Sequence, residues 1–237
     1  NGQNYMVEGY RIAKDHYSAD AIVIYSNLGE VDANAPVTVV DKVVPVLDEE
    51  GEEAQKLFGY RNGAAVEYLF RDDQLLNMIF DLNANPNDSQ DDKEKHKLEC
   101  GDIVQLEIDE LNQIIGVKLI YQRNINKGIF NMAQDTNARY RTFMGKAYNI
   151  SEGYLMLVST ETFDNPNMQD KLASLTLNSL EVYPGTILPI VVYDHTKENK
   201  LSIGKLGDIV DYKSTLQASD VFVYTSYSSN GMIVVYK

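Results

Sequence analysis

The sequence has no tryptophan and a single cysteine, Cys100, among 237 residues. One cysteine excludes an intrachain disulfide framework and a cysteine-rich metal site, and we expect Cys100 to be a small core residue. No apolar run is long enough to cross a bilayer. Basic residues are also scarce, with 21 against 35 acidic ones and a net charge of −14. Such a surface repels phosphate backbones and anionic lipid, so we expect no nucleic-acid partner and no membrane insertion.

What the sequence does contain is β-forming residues. The chain has 16 tyrosines, most of them in runs with valine and isoleucine, which are typical of strands. Residues 101–108 and 116–122 indicate two strands joined by a turn, because apolar residues recur near period two. The opening Gly-Asp-Ile-Val recurs at 207–210, and the closing run 232–237 is similar in character to 116–122.

These repeats predict an all-β fold of tandem small β-barrel or β-sandwich modules with one or two short helices. We favour the barrel, since glycine marks places where a strand bends sharply. Residues 1–28 are expected to hold the terminal strands of a preceding or incomplete module, 37–122 a first module and 138–237 a second. The chain begins at Asn1, which suggests a piece of a longer polypeptide. The end strands, above all 232–237, are expected to lack partners within the chain and to pair with neighbouring modules or chains.

Local signals place the turns within each module. The clearest is Asn62–Gly63 between two strand-like runs, since both residues accept the positive φ of a type I′ hairpin turn. Helical spacing of apolar residues predicts a short helix at 73–80. The other expected features are hairpin tips at 48–51 and 151–153, polar excursions at 81–97 and 163–174, and strands at 175–180 and 187–193.

No pattern of residues identifies a reaction. His16, His96 and His195 lie in polar segments beside charged residues and are expected to be exposed. Gly-x-Ser-x-Gly, His-Glu-x-x-His and a glycine-rich phosphate loop are all missing from the sequence. We therefore expect no enzyme and assign no catalytic, cofactor-binding or metal-binding residue.

Two segments nevertheless deserve a test for binding. Residues 81–89, followed by Asp92, resemble an oxygen-rich calcium loop, although Pro86 replaces the expected glycine and Asp92 the expected long glutamate. The alternative is a solvated loop without metal. Near the end of the chain, Tyr224 and Tyr227 are expected to be exposed, where they could stack on a sugar ring or cover a sheet face.

Residues 39–43 and 57–66, the two Gly-Asp-Ile-Val segments and the closing run 232–236 together resemble a known group of proteins. They are similar to the β-rich repeat regions of cell-surface proteins that carry S-layer homology domains in anaerobic Gram-positive bacteria. The resemblance implies an extracellular, cell-wall location and a non-catalytic role as a spacer or as lattice- or filament-forming modules. It implies neighbouring modules, copies of the chain, or a cell-wall polymer or glycan as partners. The alternative function is a carbohydrate- or peptide-binding module with a tyrosine-lined sheet face.

Overall fold

The structure is a computed structural model that describes residues 6–10, 21–25, 31, 35–71, 73–85, 87–89, 92–130, 140–172, 174–176, 179–226 and 231–237. Its strands are β1 Met6–Tyr10, β2 Ala21–Tyr25, β3 Val37–Leu47, β4 Glu53–Arg61, β5 Ala64–Phe70, β6 Ile103–Ile108, β7 Ile114–Gln122, β8 Lys127–Gly128, β9 Tyr140–Ser151, β10 Tyr154–Ser159, β11 Glu181–Pro184, β12 Ile190–Tyr193, β13 Leu201–Gly204, β14 Asp220–Ser226 and β15 Gly231–Tyr236. Its α-helices are α1 Asp73–Asn77, α2 Thr160–Phe163, α3 Gln169–Leu172 and α4 Tyr212–Thr215. Short 3₁₀ turns cover Arg123–Ile125, Pro166–Met168 and Leu206–Asp208.

The described residues are mostly β, as predicted, and the strands form three sheets. A six-stranded sheet has the order β5-β4-β3-β6-β7-β8, a seven-stranded sheet the order β11-β10-β9-β14-β15-β12-β13, and β1 pairs with β2 alone. Neither large sheet closes into a barrel within the described ranges. The described residues contain four short α-helices where one or two were expected. None of the helices in the described part of the chain is long and apolar enough to span a membrane.

The two large sheets share one pairing scheme. Each begins with a long strand, β3 or β9, that pairs antiparallel with the next strand in the chain and with a later one, β6 or β14. Both long strands carry a bulge, at Asp41 and at Tyr148, which lets a strand of 11 or 12 residues bend. In the seven-stranded sheet β15 also runs parallel beside β12, and in the six-stranded sheet a single parallel bridge joins Leu69 of β5 to Gln113, just before β7.

The turns form where local residues allow them. Asn62 and Gly63 have φ of 49° and 76°, which confirms the predicted type I′ turn between β4 and β5. Glu152 and Gly153, at 52° and 81°, join β9 to β10 in the same way. The predicted helix begins at Asp73 and ends at Asn77, earlier than expected.

Several expectations about the second half are wrong. The Gly-Asp-Ile-Val at 207–210 does not open a strand: Leu206–Asp208 is a 3₁₀ turn, and Asp208 accepts the Lys205 backbone N–H at 2.8 Å. Residues 175, 176, 179 and 180 are not in a strand, and the excursion at 163–174 contains helical turns. The strand expected at 187–193 begins only at Ile190.

The terminal strand is also not free. β15 pairs with β14 on one side and with β12 on the other, so its backbone groups are already used within the chain. The expectation that residues 232–237 seek a neighbouring chain is therefore wrong. As far as the structure describes the chain, the outermost strands of the seven-stranded sheet are β11 and β13.

Side chains that alternate along the strands build three packed layers. Val39 and Ile103 point to one face of the six-stranded sheet, whereas Val40 and Val104, the next residues, point to the other. In the seven-stranded sheet Phe222 packs between the sheets, and Val223 packs on the outer face. Each large sheet is thus buried on both faces in its centre, and one core is shared between the two sheets.

Candidate functional site

The two large sheets pack against each other through the core that they share, which we call the junction. All its central residues are at most 9% exposed. The six-stranded sheet and its flanks contribute Val37, Val39, Ile103, Ile120 and Tyr121, and the seven-stranded sheet contributes Met144, Val191, Tyr193, Leu201, Phe222, Tyr224, Met232 and Val234. Burial of this many apolar side chains at about 25 cal/mol per Å² holds the two sheets against each other.

Asp102 lies at one edge of the junction, where its side chain connects three segments of the chain. This residue precedes β6, and its side chain has no exposed surface. Its Oδ1 accepts the Arg123 backbone N–H at 2.9 Å, and its Oδ2 accepts the Glu99 backbone N–H at 2.8 Å. Oδ2 also lies 2.6 Å from Nε2 of His96. One buried carboxylate thereby joins the start of β6, the end of β7 and the segment before β6.

His96 is buried, with 6% of its surface exposed, so the prediction of a surface histidine is wrong. The reason is that residues 94–96 pair with 79–81: the His96 backbone N–H donates to Ile79 O at 2.8 Å, and that of Asp81 donates to Glu94 O at 2.9 Å. This pairing turns the imidazole inward, where the tautomer with a proton on Nε2 donates to Asp102.

A carboxylate can orient a histidine so that the imidazole acts as a base, but nucleophilic catalysis also needs a nucleophile within reach. Cys100, the one cysteine of the chain, follows His96 by four residues and is half-buried against the junction. Burial raises the pKa of its thiol to about 11, and the Asp41 carboxylate nearby acts in the same direction. The thiol is therefore protonated at neutral pH. We call the set of bonds that Asp102 makes to His96, Glu99 and Arg123 the anchor.

Arg123 and Gly101 extend this anchor to the seven-stranded sheet. The Arg123 Nε donates to Cys100 O at 2.9 Å, and its guanidinium lies 5.0 Å from the ring centroid of Tyr193. Gly101 has a φ of +93°, and a Cβ there would lie 2.6 Å from Arg123 and 2.9 Å from Tyr193. The Tyr236 hydroxyl donates to Gly101 O at 2.9 Å. Only glycine fits this close approach of the two sheets.

Three tyrosines complete this edge of the junction. The Tyr236 ring lies 5.2 Å from that of Tyr121 and 5.7 Å from that of Tyr193, between centroids. Burial raises the pKa of all three hydroxyls. They remain neutral at physiological pH, which suits packing and hydrogen bonding rather than proton transfer.

Two grooves lie on the surface of the six-stranded sheet. One, of about 530 Å³, lies beside His96 and is lined by Val43, Pro45, Gln55, Leu76, Asn77 and residues 95–98. The other, of about 720 Å³, lies between the β3–β4 and β6–β7 connections. We call it the tip groove.

The oxygens of the proposed calcium loop bind donors of the protein itself. Asp81 accepts the Asn83 backbone N–H at 2.7 Å and the Gln122 side-chain amide at 2.7 Å, and Asp92 accepts the Ser89 hydroxyl at 2.6 Å. Among the described residues, which leave out Pro86 and residues 90 and 91, no group of three potential metal-ligating His, Cys, Asp or Glu side chains converges.

The remaining expected site residues do not come together. Tyr224 is 1% exposed in the junction, so the prediction of an exposed sugar-stacking residue is wrong. His195 is exposed as expected, with Nδ1 2.6 Å from Lys237 O. His16 and Tyr227 lie outside the described residues. The missed signal was the unbroken apolar run in strands such as β14, which is typical of strands buried on both faces.

Fold and site thus define a mostly β protein in which two sheets share one core. Compared with protein-family models, with curated proteins and with solved structures, the chain has no match.

Proposed function

We propose that this chain is a non-catalytic structural segment of an exported bacterial surface protein, in which β modules act as a stiff spacer at the cell wall. The observation that supports the proposal is the junction, because a continuous core between two sheets resists bending. The two sheets are proposed to be tandem modules, each a partly open barrel of five main strands. Their common pairing scheme, with a bulged first strand that pairs with the next strand and with a later one, supports this duplication.

The experiment asks whether the two sheets unfold as one unit. Leu155 is fully buried on the outer face of the seven-stranded sheet, in a cluster without residues of the other sheet. Leu155→Ala should cost about 2–5 kcal/mol of local stability. If the junction is stiff, hydrogen–deuterium exchange should quicken in β4 of the six-stranded sheet as well as in β10. Exchange in β4 that stays at the wild-type rate would contradict a stiff spacer.

The alternative function, a glycan- or peptide-binding module, loses the exposed Tyr224 on which it depended. It keeps one supporting feature, the groove beside His96, which Lys95 and Lys97 line together with Leu76 and Leu98. A glycan array probed with wild-type protein and with Lys97→Glu tests it. Binding that the substitution removes would favour this function over the spacer.

Calcium binding at 81–92 also remains a prediction. Calorimetric titration of calcium into chelator-treated protein, together with a thermal melt, decides it. If calcium releases or absorbs no heat and leaves the melting temperature unchanged, the prediction of calcium binding is wrong.

A further inference from the structure

Charge is divided unevenly between the two predicted modules. Residues 37–122 contain eight basic and 19 acidic residues, a net charge of −11, whereas residues 138–237 contain nine basic and 10 acidic ones, a net charge of −1. Nearly all the excess negative charge outside the first 36 residues therefore lies in the first module. Two copies that met through unlike ends would experience less repulsion than two that met through like ends.

The tip groove carries exposed apolar side chains on the acidic module. Its rims carry Leu47, 69% exposed, and Leu111, 74% exposed. The groove is held open by the structure itself: Arg71 reaches Glu50 at 2.7 Å, and the Leu69 backbone N–H donates to Asn112 O at 3.2 Å. Two exposed leucines across a preformed groove indicate a binding surface for an apolar side chain.

Acidic groups surround these leucines. Asp48, Glu49, Glu50 and Glu67 line the groove, against the two cations Lys56 and Arg71. Both cations are already paired, Arg71 with Asp48 and Glu50, and Lys56 with Glu67. Glu49 is exposed at the rim. The matching occupant is therefore an apolar side chain flanked by lysines.

The β13 edge of the second module has this chemistry. β13 pairs with β12 and is the last strand of its sheet in the described part of the chain. Ile203 in its middle is 57% exposed, and the exposed Lys200 and Lys205 flank the strand. If two β13 edges met antiparallel, each Lys200 would face a Lys205. If two tip grooves met, the acidic side chains of one would face those of the other. Only the unlike pair is complementary.

We propose that the tip groove of one copy binds the β13 edge of a second copy, with Ile203 between Leu47 and Leu111 and the lysines beside Glu49 and its neighbours. The contact deepens the proposed structural role and rests on it. Because the two surfaces differ, each copy keeps one free groove and one free edge. Such a head-to-tail contact extends into a row of copies.

The test uses two variants of the full chain in sedimentation velocity. The groove variant, Leu47→Ser with Leu111→Ser, keeps its β13 edge; the edge variant, Ile203→Ser with Lys205→Glu, keeps its groove. These positions are exposed, so both variants should fold with wild-type circular dichroism. Wild type should form species larger than a dimer at concentrations up to about 1 mM. Each variant alone should be monomeric, and their equimolar mixture should form a dimer and nothing larger.

A charge exchange tests the register of the contact. Glu49→Lys in the edge variant should weaken the dimer in the mixture about tenfold, and Lys200→Glu in the groove variant should recover most of that loss. Lys171→Glu, an exposed substitution elsewhere in the second module, is the control for net charge. A monomeric wild type, or a groove variant that still assembles, would overturn the inference. The exchange experiment on Leu155→Ala reports on the monomer, so a failed contact leaves the spacer proposal intact.

Discussion

Replacement of Asp102 by alanine should be among the most damaging single changes in the six-stranded sheet. The carboxylate has no exposed surface and accepts from three donors: the His96 imidazole at 2.6 Å and the backbone N–H groups of Glu99 and Arg123 at 2.8 and 2.9 Å. Asp102→Ala leaves these three donors without their acceptor at a site that is largely shielded from water.

The size of the effect follows from these bonds. A buried donor left unsatisfied costs about 1–3 kcal/mol, and water reaches the exposed Glu99 more easily than the buried His96. We expect a total loss of about 3–5 kcal/mol, as for other buried pairs that lose one partner. Asp102→Asn keeps the volume and one acceptor oxygen, so about 1–2 kcal/mol should be lost. Against a stability of about 5–15 kcal/mol for a typical domain, this loss is a large part of the total.

The assay is urea denaturation followed by circular dichroism and tyrosine fluorescence. Asp102→Ala should lower the midpoint with an unchanged slope, because the surface exposed on unfolding stays the same. Asp170→Ala, which removes an exposed carboxylate from α3, should change the free energy of unfolding by less than about 0.5 kcal/mol. If Asp102→Ala costs less than about 1 kcal/mol, the carboxylate does not anchor the junction.

Three further predictions concern single positions. Gly101→Ala should destabilise the protein by at least about 2 kcal/mol more than Gly51→Ala in the same urea assay. Both glycines have positive φ, but of these two only Gly101 would place a Cβ against other residues. Equal losses of stability would refute the steric argument. Tyr148→Phe should stabilise the protein by about 1 kcal/mol, since its buried hydroxyl has no hydrogen-bond partner among the described residues; a lower thermal midpoint would contradict this. Cys100, with its pKa raised from 9.0 to about 11, should react with iodoacetamide at pH 8 about 100-fold more slowly in the folded than in the urea-unfolded chain. The same raised pKa means that the folded chain holds the thiol proton more tightly, so this contribution to stability is full below pH 9.0 and is lost as the pH rises toward 11.

The two Gly-Asp-Ile-Val segments show how far local sequence determines structure. At 101–104 the tetrapeptide enters β6 and buries its aspartate, whereas at 207–210 it ends a 3₁₀ turn. Residues on both sides of the second segment differ: before it, the Lys205 backbone N–H donates to Asp208 and closes the 3₁₀ turn. Asp211 caps α4 by accepting the Ser214 backbone N–H at 3.0 Å, and this turns the chain away from an extended path. Four identical residues therefore adopt two structures because their neighbours differ.

His96 shows a second limit of the sequence. It lies in a segment with Lys95 and Lys97 on either side, which is the pattern of a solvated loop. Its burial depends on pairing with residues 79–81 and on a carboxylate six positions later. Nothing in the local pattern indicates that pairing, so the anchor of the junction could be recognised only in three dimensions.

The sequence by itself determined many of the strands, the tight turns and the acidic character of the chain, because side-chain period, positive φ and charge are properties of a few adjacent residues. Tertiary structure decided which strands are neighbours and which faces are buried. β15 lies beside β12, about 40 residues earlier, and Tyr224 is buried because a second sheet covers it. Such contacts join residues that are distant along the chain, and their energies depend on surfaces that no local pattern specifies.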